Sequence, residues 1–244
     1  LDSILPEFAD LRPPQLSNQS MWDTGTAGSM TGTWSLKLAT RARPGSQAVA
    51  IKRHTFRKLT RLRFECYFCY KPEAGELRLS ATAPRAFGLL FDIQDGFRAP
   101  RHRWMPHLRY LNALDGERIG RWQSKPVTRP VQRIGDRGET VSHFHLGPEG
   151  WVDVPDSAQI LCYNEIATKM NWSYLRVDID LATQAFLGFQ CDEQRYPPDG
   201  MQVIKLPPMP NLFNMLNIAF WVEADAARRC FLYVDSCLLS AAER

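Results

Sequence analysis

The stretch RHRWMPHLRYLN at 101–112, with GRWQ close behind at 120–123, gathers the side chains best suited to hold a sugar. Trp104, Tyr110 and Trp122 stand there among arginines, histidines, Asn112 and Gln123. Sugars stack their apolar faces on aromatic rings, while guanidinium, imidazole and amide groups take the hydroxyls. Gln94, Trp104, His107, Arg109, Tyr110 and Trp122 are therefore the expected ligand-binding residues. The competing reading is that Trp and Tyr in a strand-rich chain fill its core.

Two catalytic chemistries draw on the same region. Elimination from a uronic acid needs a cation or amide on the carboxylate and a His or Tyr as base. In HLRYLN, His107 and Arg109 share a strand face, Tyr110 points away, and Gln94 and His102 are the nearest helpers. Retaining hydrolysis needs two carboxylates about 5–5.5 Å apart. Asp92 in FDIQDG lies opposite a core face with Gln94 beside it, and Asp178 and Asp180 alternate along a later strand. Asp92, His107 and Arg109 are the candidate catalytic residues. Neither set is complete, so catalysis stays open behind binding.

Metal chemistry has two candidates. VSHFHLGPE places His143 and His145 on one face with Glu149 following, close to the first metal motif of cupins. The spacer from Gly138 is one residue short, Asp156 replaces the later glycine, and no second motif follows. The strand CFLYVDSCLLSA is apolar on both faces yet contains Asp235, and a buried carboxylate must find a partner. Asp235 with an N-terminal acid or carbonyl would fit a structural calcium ion. In CYFC, thiols three apart on a strand diverge, so Cys66 reads as a small core residue.

The elements that must position these groups are strands. The chain has 244 residues, 44% of them hydrophobic, enough for a sizeable core. Strand patterns occupy 34–42, 47–56, 59–70, 86–95, 107–114, 118–124, 201–206, 212–224 and 230–241, with DGE marking a hairpin turn at 115–117. WSYLRVDIDLATQAFLGF, residues 172–189, reads as a hairpin. Its first arm buries Leu175, Val177, Ile179 and Leu181, and its outer face carries Tyr174, Arg176, Asp178 and Asp180. Residues 1–33 are irregular. The Pro-, Gly- and Asp-rich 125–171 reads as a loop-rich insertion with a short helix near 158–168. The fold expected is all-β, a two-sheet antiparallel sandwich with long loops over a single domain, 1–244.

The order of these patterns resembles the concanavalin A-like lectin/glucanase superfamily, the laminin-G-like jelly rolls. The resemblance is carried by GTWSLKLATRARPGSQAVAIKR, RFECYFCY, WSYLRVDIDLAT, QAFLGFQ and FLYVDSCLLS. It implies one concave sheet with ligands on that face or its rim. It also implies carbohydrate binding in many members, hydrolysis or elimination in some, and a structural calcium in many. The E-x-D-x-x-E of hydrolases on this fold is missing, as are the Q-I-H and Y-x-K-x-G-x-Y motifs of its lyases. A protein-interaction module without sugar affinity is the third class.

The expected partner is an oligo- or polysaccharide, held near 92–122. The formal charge is +4, with basic residues clustered at 41–63 and 98–109. That bias suits an anionic partner or guards strand edges. No nucleic-acid motif accompanies it, and no apolar run reaches the roughly 18 residues of a membrane helix. Neither nucleic acid nor a membrane is therefore expected as partner, and the oligomeric state is open. The six scattered cysteines and the absence of a leader pattern read as a cytoplasmic protein. The alternative is a secreted chain whose leader has been removed.

Overall fold

Among the described residues, each strand pattern of the sequence holds a strand. The computed structural model describes residues 15–17, 29–32, 35–73, 80–128, 130–134, 140–143, 145–166 and 169–242. In chain order the strands are β1 (Gln15–Ser17), β2 (Ser35–Ala39), β3 (Gln47–Thr55), β4 (Arg61–Pro72), β5 (Pro84–Gln94) and β6 (Arg103–Met105). Next come β7 (His107–Leu114), β8 (Glu117–Ser124), β9 (Pro130–Ile134), β10 (Thr140–His143), β11 (Val152–Ala158) and β12 (Ser173–Asp180). The last are β13 (Ala185–Cys191), β14 (Gln194–Tyr196), β15 (Ile204–Leu206), β16 (Met215–Ala224) and β17 (Cys230–Ala241).

One sheet has seven strands in the order β1-β2-β17-β4-β12-β13-β14. The other has eight, ordered β11-β8-β7-β5-β16-β3, with β6 paired to β5 and β15 to β6. β9 and β10 make a separate ribbon. The two large sheets stack through a shared core. Phe64 of β4 meets Phe91 of β5 at 6.0 Å and Phe220 of β16 at 5.7 Å between ring centroids, and Phe68 meets Phe87 at 5.0 Å. Each such ring taken from water contributes on the order of 1.5–3 kcal/mol. The expected two-sheet antiparallel sandwich is the observed architecture.

The charged hairpin arm follows its alternation. Leu175, Val177, Ile179 and Leu181 are buried. On the outer face, Asp178 accepts from Arg63 at 2.9 Å and Arg176 at 2.8 Å, and Arg61 lies 3.7 Å from Asp180. These pairs, two of them cross-strand and Arg176–Asp178 within β12, each contribute about 0–1 kcal/mol. Cys66 belongs to the core while Cys69 lies on the opposite face against Asn164.

Two expectations are corrected. No helix forms in the described part of 158–168. Gln159 N–H donates to Gly120 and Leu161 N–H to the Tyr110 hydroxyl, so this segment is tied beside β8. β17 is covered on both faces only in its first half. It breaks register between Asp235 and Leu238, with Ser236 at a φ of 50°, and its second half lies open.

Candidate functional site

On β7, period 2 sends Leu108 and Tyr110 into the shared core and His107, Arg109 and Leu111 to the outer face of the eight-stranded sheet. Register then lays Val49, Trp221, Gly88, Arg109, Gln123 and Asp153 side by side across six strands. Gln47, Glu223, Ala86, Leu111 and Arg121 form the next row. Ile51, Ala219, Leu90 and His107 form the row on the other side.

Gly88 sets the floor. A Cβ there would lie 2.5 Å from the Leu108 carbonyl oxygen and 2.9 Å from the Trp221 indole nitrogen. Only glycine lets that indole settle across β5. Gly88→Ala is expected to cost about 1–3 kcal/mol by overpacking, seen as a lower urea midpoint with an unchanged slope.

Residues 145–151 pack over this face. Leu146 joins its apolar cluster with Val49, Leu111 and Trp221. Gln47 donates to the Leu146 carbonyl at 3.1 Å. The Gly147 carbonyl accepts from Lys125 Nζ at 2.7 Å and Trp151 Nε1 at 3.1 Å. Trp151 therefore sits in a nest of cations and rings. Arg109 Cζ is 4.2 Å and Lys125 Nζ 5.0 Å from its centroid. Trp221 is 5.8 Å and His107 6.0 Å away.

The charges under this cover are unevenly matched. Arg109 is 7% exposed and Lys125 1%. Arg109 donates Nε–H to Gln123 at 2.7 Å, and Lys125 to a backbone carbonyl. Among the described residues neither makes an ion pair. Burial pulls the Lys125 ammonium down to about 8, helped by Arg109, and pulls Arg109 down to about 10. Glu223, also buried, takes Gln47 at 3.2 Å and Arg85 at 3.5 Å, and burial raises its carboxyl. At the open end, burial alone would raise Asp153. Hydrogen bonds from Gln123 at 2.7 Å and Arg121 at 2.5 Å override it and hold the carboxyl below its ordinary range.

His107 is wholly buried. Its Nδ1 lies 3.3 Å from the Met105 carbonyl, which fixes Nδ1 as donor and leaves Nε2 an acceptor. No described group partners Nε2, nor the Trp221 N–H or Gln47 Oε1. Burial drops the imidazole to about 3. Above pH 6.5 it is neutral folded or unfolded and contributes nothing. Between 6.5 and about 3 only the unfolded chain takes the proton, so stability falls by about 1.4 kcal/mol per pH unit. His107→Gln should flatten this limb relative to the parent in urea titrations at pH 4, 5 and 7.

The expected ligand-binding residues separate into three groups. His107 and Arg109 share the site. Trp104, Tyr110 and Trp122 do not: they belong to the core between the two sheets, on the other side of the sheet from Arg109. Their side chains project with the core phase of their strands. Tyr110 donates to the Gln159 carbonyl and Trp122 to Gln159 Oε1, both at 2.8 Å. Gln94 ties the 207–212 loop, donating to Met209 and Leu212 and accepting from Met209 N–H. Asp92, the candidate acid, is locked to Arg103 by two 2.9 Å bonds.

Asp235 is half-buried and caps the N-terminal turn, accepting from the Met30 and Thr31 N–H groups at 2.7 and 2.9 Å. Those dipoles aim positive charge at the carboxylate, which suits a cap. The His143 side chain lies outside the described residues. Among the described residues no three His, Cys, Asp or Glu side chains are grouped to hold a metal.

Sequence reasoning missed Lys125, Trp151, Trp221, Gln47 and Glu223. One local signal was available: Gln123 and Lys125 alternate with Trp122 and Ser124 in RWQSK, placing amide and amine on one face.

A family model described as "Domain of unknown function (DUF6772)" matches residues 1–243. No curated protein matches the chain. Among solved structures the chain is similar to an alginate lyase from Chlorella virus, at 9% identity and TM-score 0.41, over 89% of this chain and 88% of that one. It is also similar to a legume lectin-like domain from Entamoeba histolytica, at 7% identity and TM-score 0.41, over 94% and 90%. A functionally unknown protein from Saccharomyces cerevisiae shares 11% identity at TM-score 0.38, over 95% and 97%. These likenesses are loose, and the sandwich assignment rests on the strand order and the shared core.

Proposed function

The chain belongs to the DUF6772 family, and we propose that it binds an anionic carbohydrate on the outer face of its eight-stranded sheet. One observation carries this reading: among the described residues, Arg109 and Lys125 are buried against the Trp151 ring without a carboxylate in contact. Buried charges are paired or they are costly. A uronate supplies the missing carboxylate. Its hydroxyls suit the planar groups of Gln123 and Asp153, and its apolar face suits an indole. The half-exposed Arg121–Asp153 pair marks the side from which a ligand enters.

Binding stands ahead of catalysis. A useful general base has a pKa near working pH, and His107 at about 3 is far below it. Tyr110, the other proton acceptor considered, is in the core.

The test is thermal unfolding with neutral, uronate-containing and sulfated oligosaccharides at millimolar concentration. A ligand present at 100 times its Kd adds about 2.7 kcal/mol, so a rise in Tm with uronates is expected. A rise with neutral sugars alone would remove the role given to the two cations, and no rise with any sugar would remove the reading. Binding should also weaken above pH 8 as Lys125, with Arg109, Glu149 and Glu223 around it, loses its proton.

A further inference from the structure

On the edge strand β3, Ala48, Ala50, Lys52 and His54 share one face. Register places them opposite Val222, Phe220, Ile218 and Leu216, all core residues. Alternation therefore points Lys52 and His54 into the space between the sheets, where apolar side chains would normally continue the core. Across from them β17 breaks register after Asp235. Small Ala50 on one side and the bulge on the other leave a groove of about 430 Å³. Phe64, Ile218 and Phe220 line it, together with the partly exposed Leu36 and Leu239 and the exposed Cys237. A neighbouring hollow of about 600 Å³ shares Leu239 and adds Arg57 and Lys58. Among the described residues neither hollow is lined by an Asp or Glu.

We propose that this inter-sheet groove binds a single-chain anionic amphiphile, an alkyl carboxylate. Its tail lies on Phe64, Ile218, Phe220 and Leu239, and its head group reaches Lys52 and His54. A dry cavity of roughly 150 Å³ admits one benzene, so 430 Å³ accommodates a chain of about a dozen carbons. Mostly apolar lining with a few polar groups at one end is the ordinary design of a small-molecule site. An inward charge on an edge strand also guards against edge pairing, but that role needs no apolar hollow behind it. The site is separate from the Arg109 face, since Lys52 and Ala50 project to the opposite side of β3 from Val49.

Cys237 reports occupancy because it is exposed and lines the groove, whereas Cys66 and Cys230 are buried. The experiment measures maleimide labelling of Cys237 by peptide mass spectrometry, with sub-micellar dodecanoate as the probe. At about ten times Kd, occupancy should slow labelling about tenfold. Dodecanol and acetate should leave the rate within about twofold, and Lys52→Glu should abolish protection. Lys52 is exposed, so that variant keeps the fold. Equal protection by dodecanol would remove the head-group contact. No protection would overturn the site.

Discussion

Trp122→Ala is expected to destabilise the protein by about 3–5 kcal/mol, against the roughly 5–15 kcal/mol that holds a domain folded. Trp122 is 1% exposed. Its ring packs on Tyr110 and Phe189 at 5.3 Å each and on Phe87 at 6.2 Å, so it ties the seven-stranded sheet to the eight-stranded one. Truncation opens a cavity among these rings and removes the donor from Gln159 Oε1, which keeps only Tyr196 at 3.0 Å. Urea unfolding should show a large fall in midpoint. Ligand affinity of the fraction still folded should be unchanged. A Trp122→Ala protein of parental stability that failed to bind sugar would return this residue to the site.

Arg109→Met should do the reverse. It removes a buried cation and keeps an unbranched side chain of similar length. Uronate affinity is expected to fall by about 10²–10³-fold, the scale of losing one partner of a buried charge pair. Stability should hold or rise by about 1–3 kcal/mol, because a buried charge without a counter-charge is replaced by an apolar group. The Gln123 bond is lost, but Gln123 keeps Asp153. Functional sites carry groups that burden the fold. Calorimetry and a melting curve on the same preparation check both halves. Loss of binding together with a large drop in Tm would mean that Arg109 is structural.

The fold was legible because burial follows period 2. HLRYLNAL was read as a strand at its observed bounds, and the 172–189 hairpin with its correct inner face. The order of strands within the sheets comes from pairings distant in sequence, such as β16 between β5 and β3, which no local pattern encodes. The candidate site was half legible. His107 and Arg109 fall together because they are two apart on one strand. The aromatic trio was misplaced because composition favoured a platform, whereas phase gives the core: Tyr110 alternates with Arg109 and pairs with Trp122 across the hairpin. Trp151 and Trp221 come from a cover loop and a strand far along the chain. They meet Arg109 only through the register that lays Trp221 beside Gly88. Asp235 reads as buried from the sequence because both faces of CFLYVDSCLLSA are apolar, and the bulge that ends the coverage of β17 leaves no mark in such a run.

The most direct measurement is a calorimetric titration at pH 7 with a short oligouronate and with the same oligosaccharide after reduction of its carboxyl groups. Linkage, ring faces and remaining hydroxyls are then held constant, and only the charge that Arg109 and Lys125 would meet is removed. The account predicts saturable binding of the uronate, at least about tenfold weaker binding of the reduced sugar, equivalent to about 1.4 kcal/mol, and loss of that difference in Arg109→Met. Equal affinity for the two sugars, or a difference that survives in Arg109→Met, would contradict it.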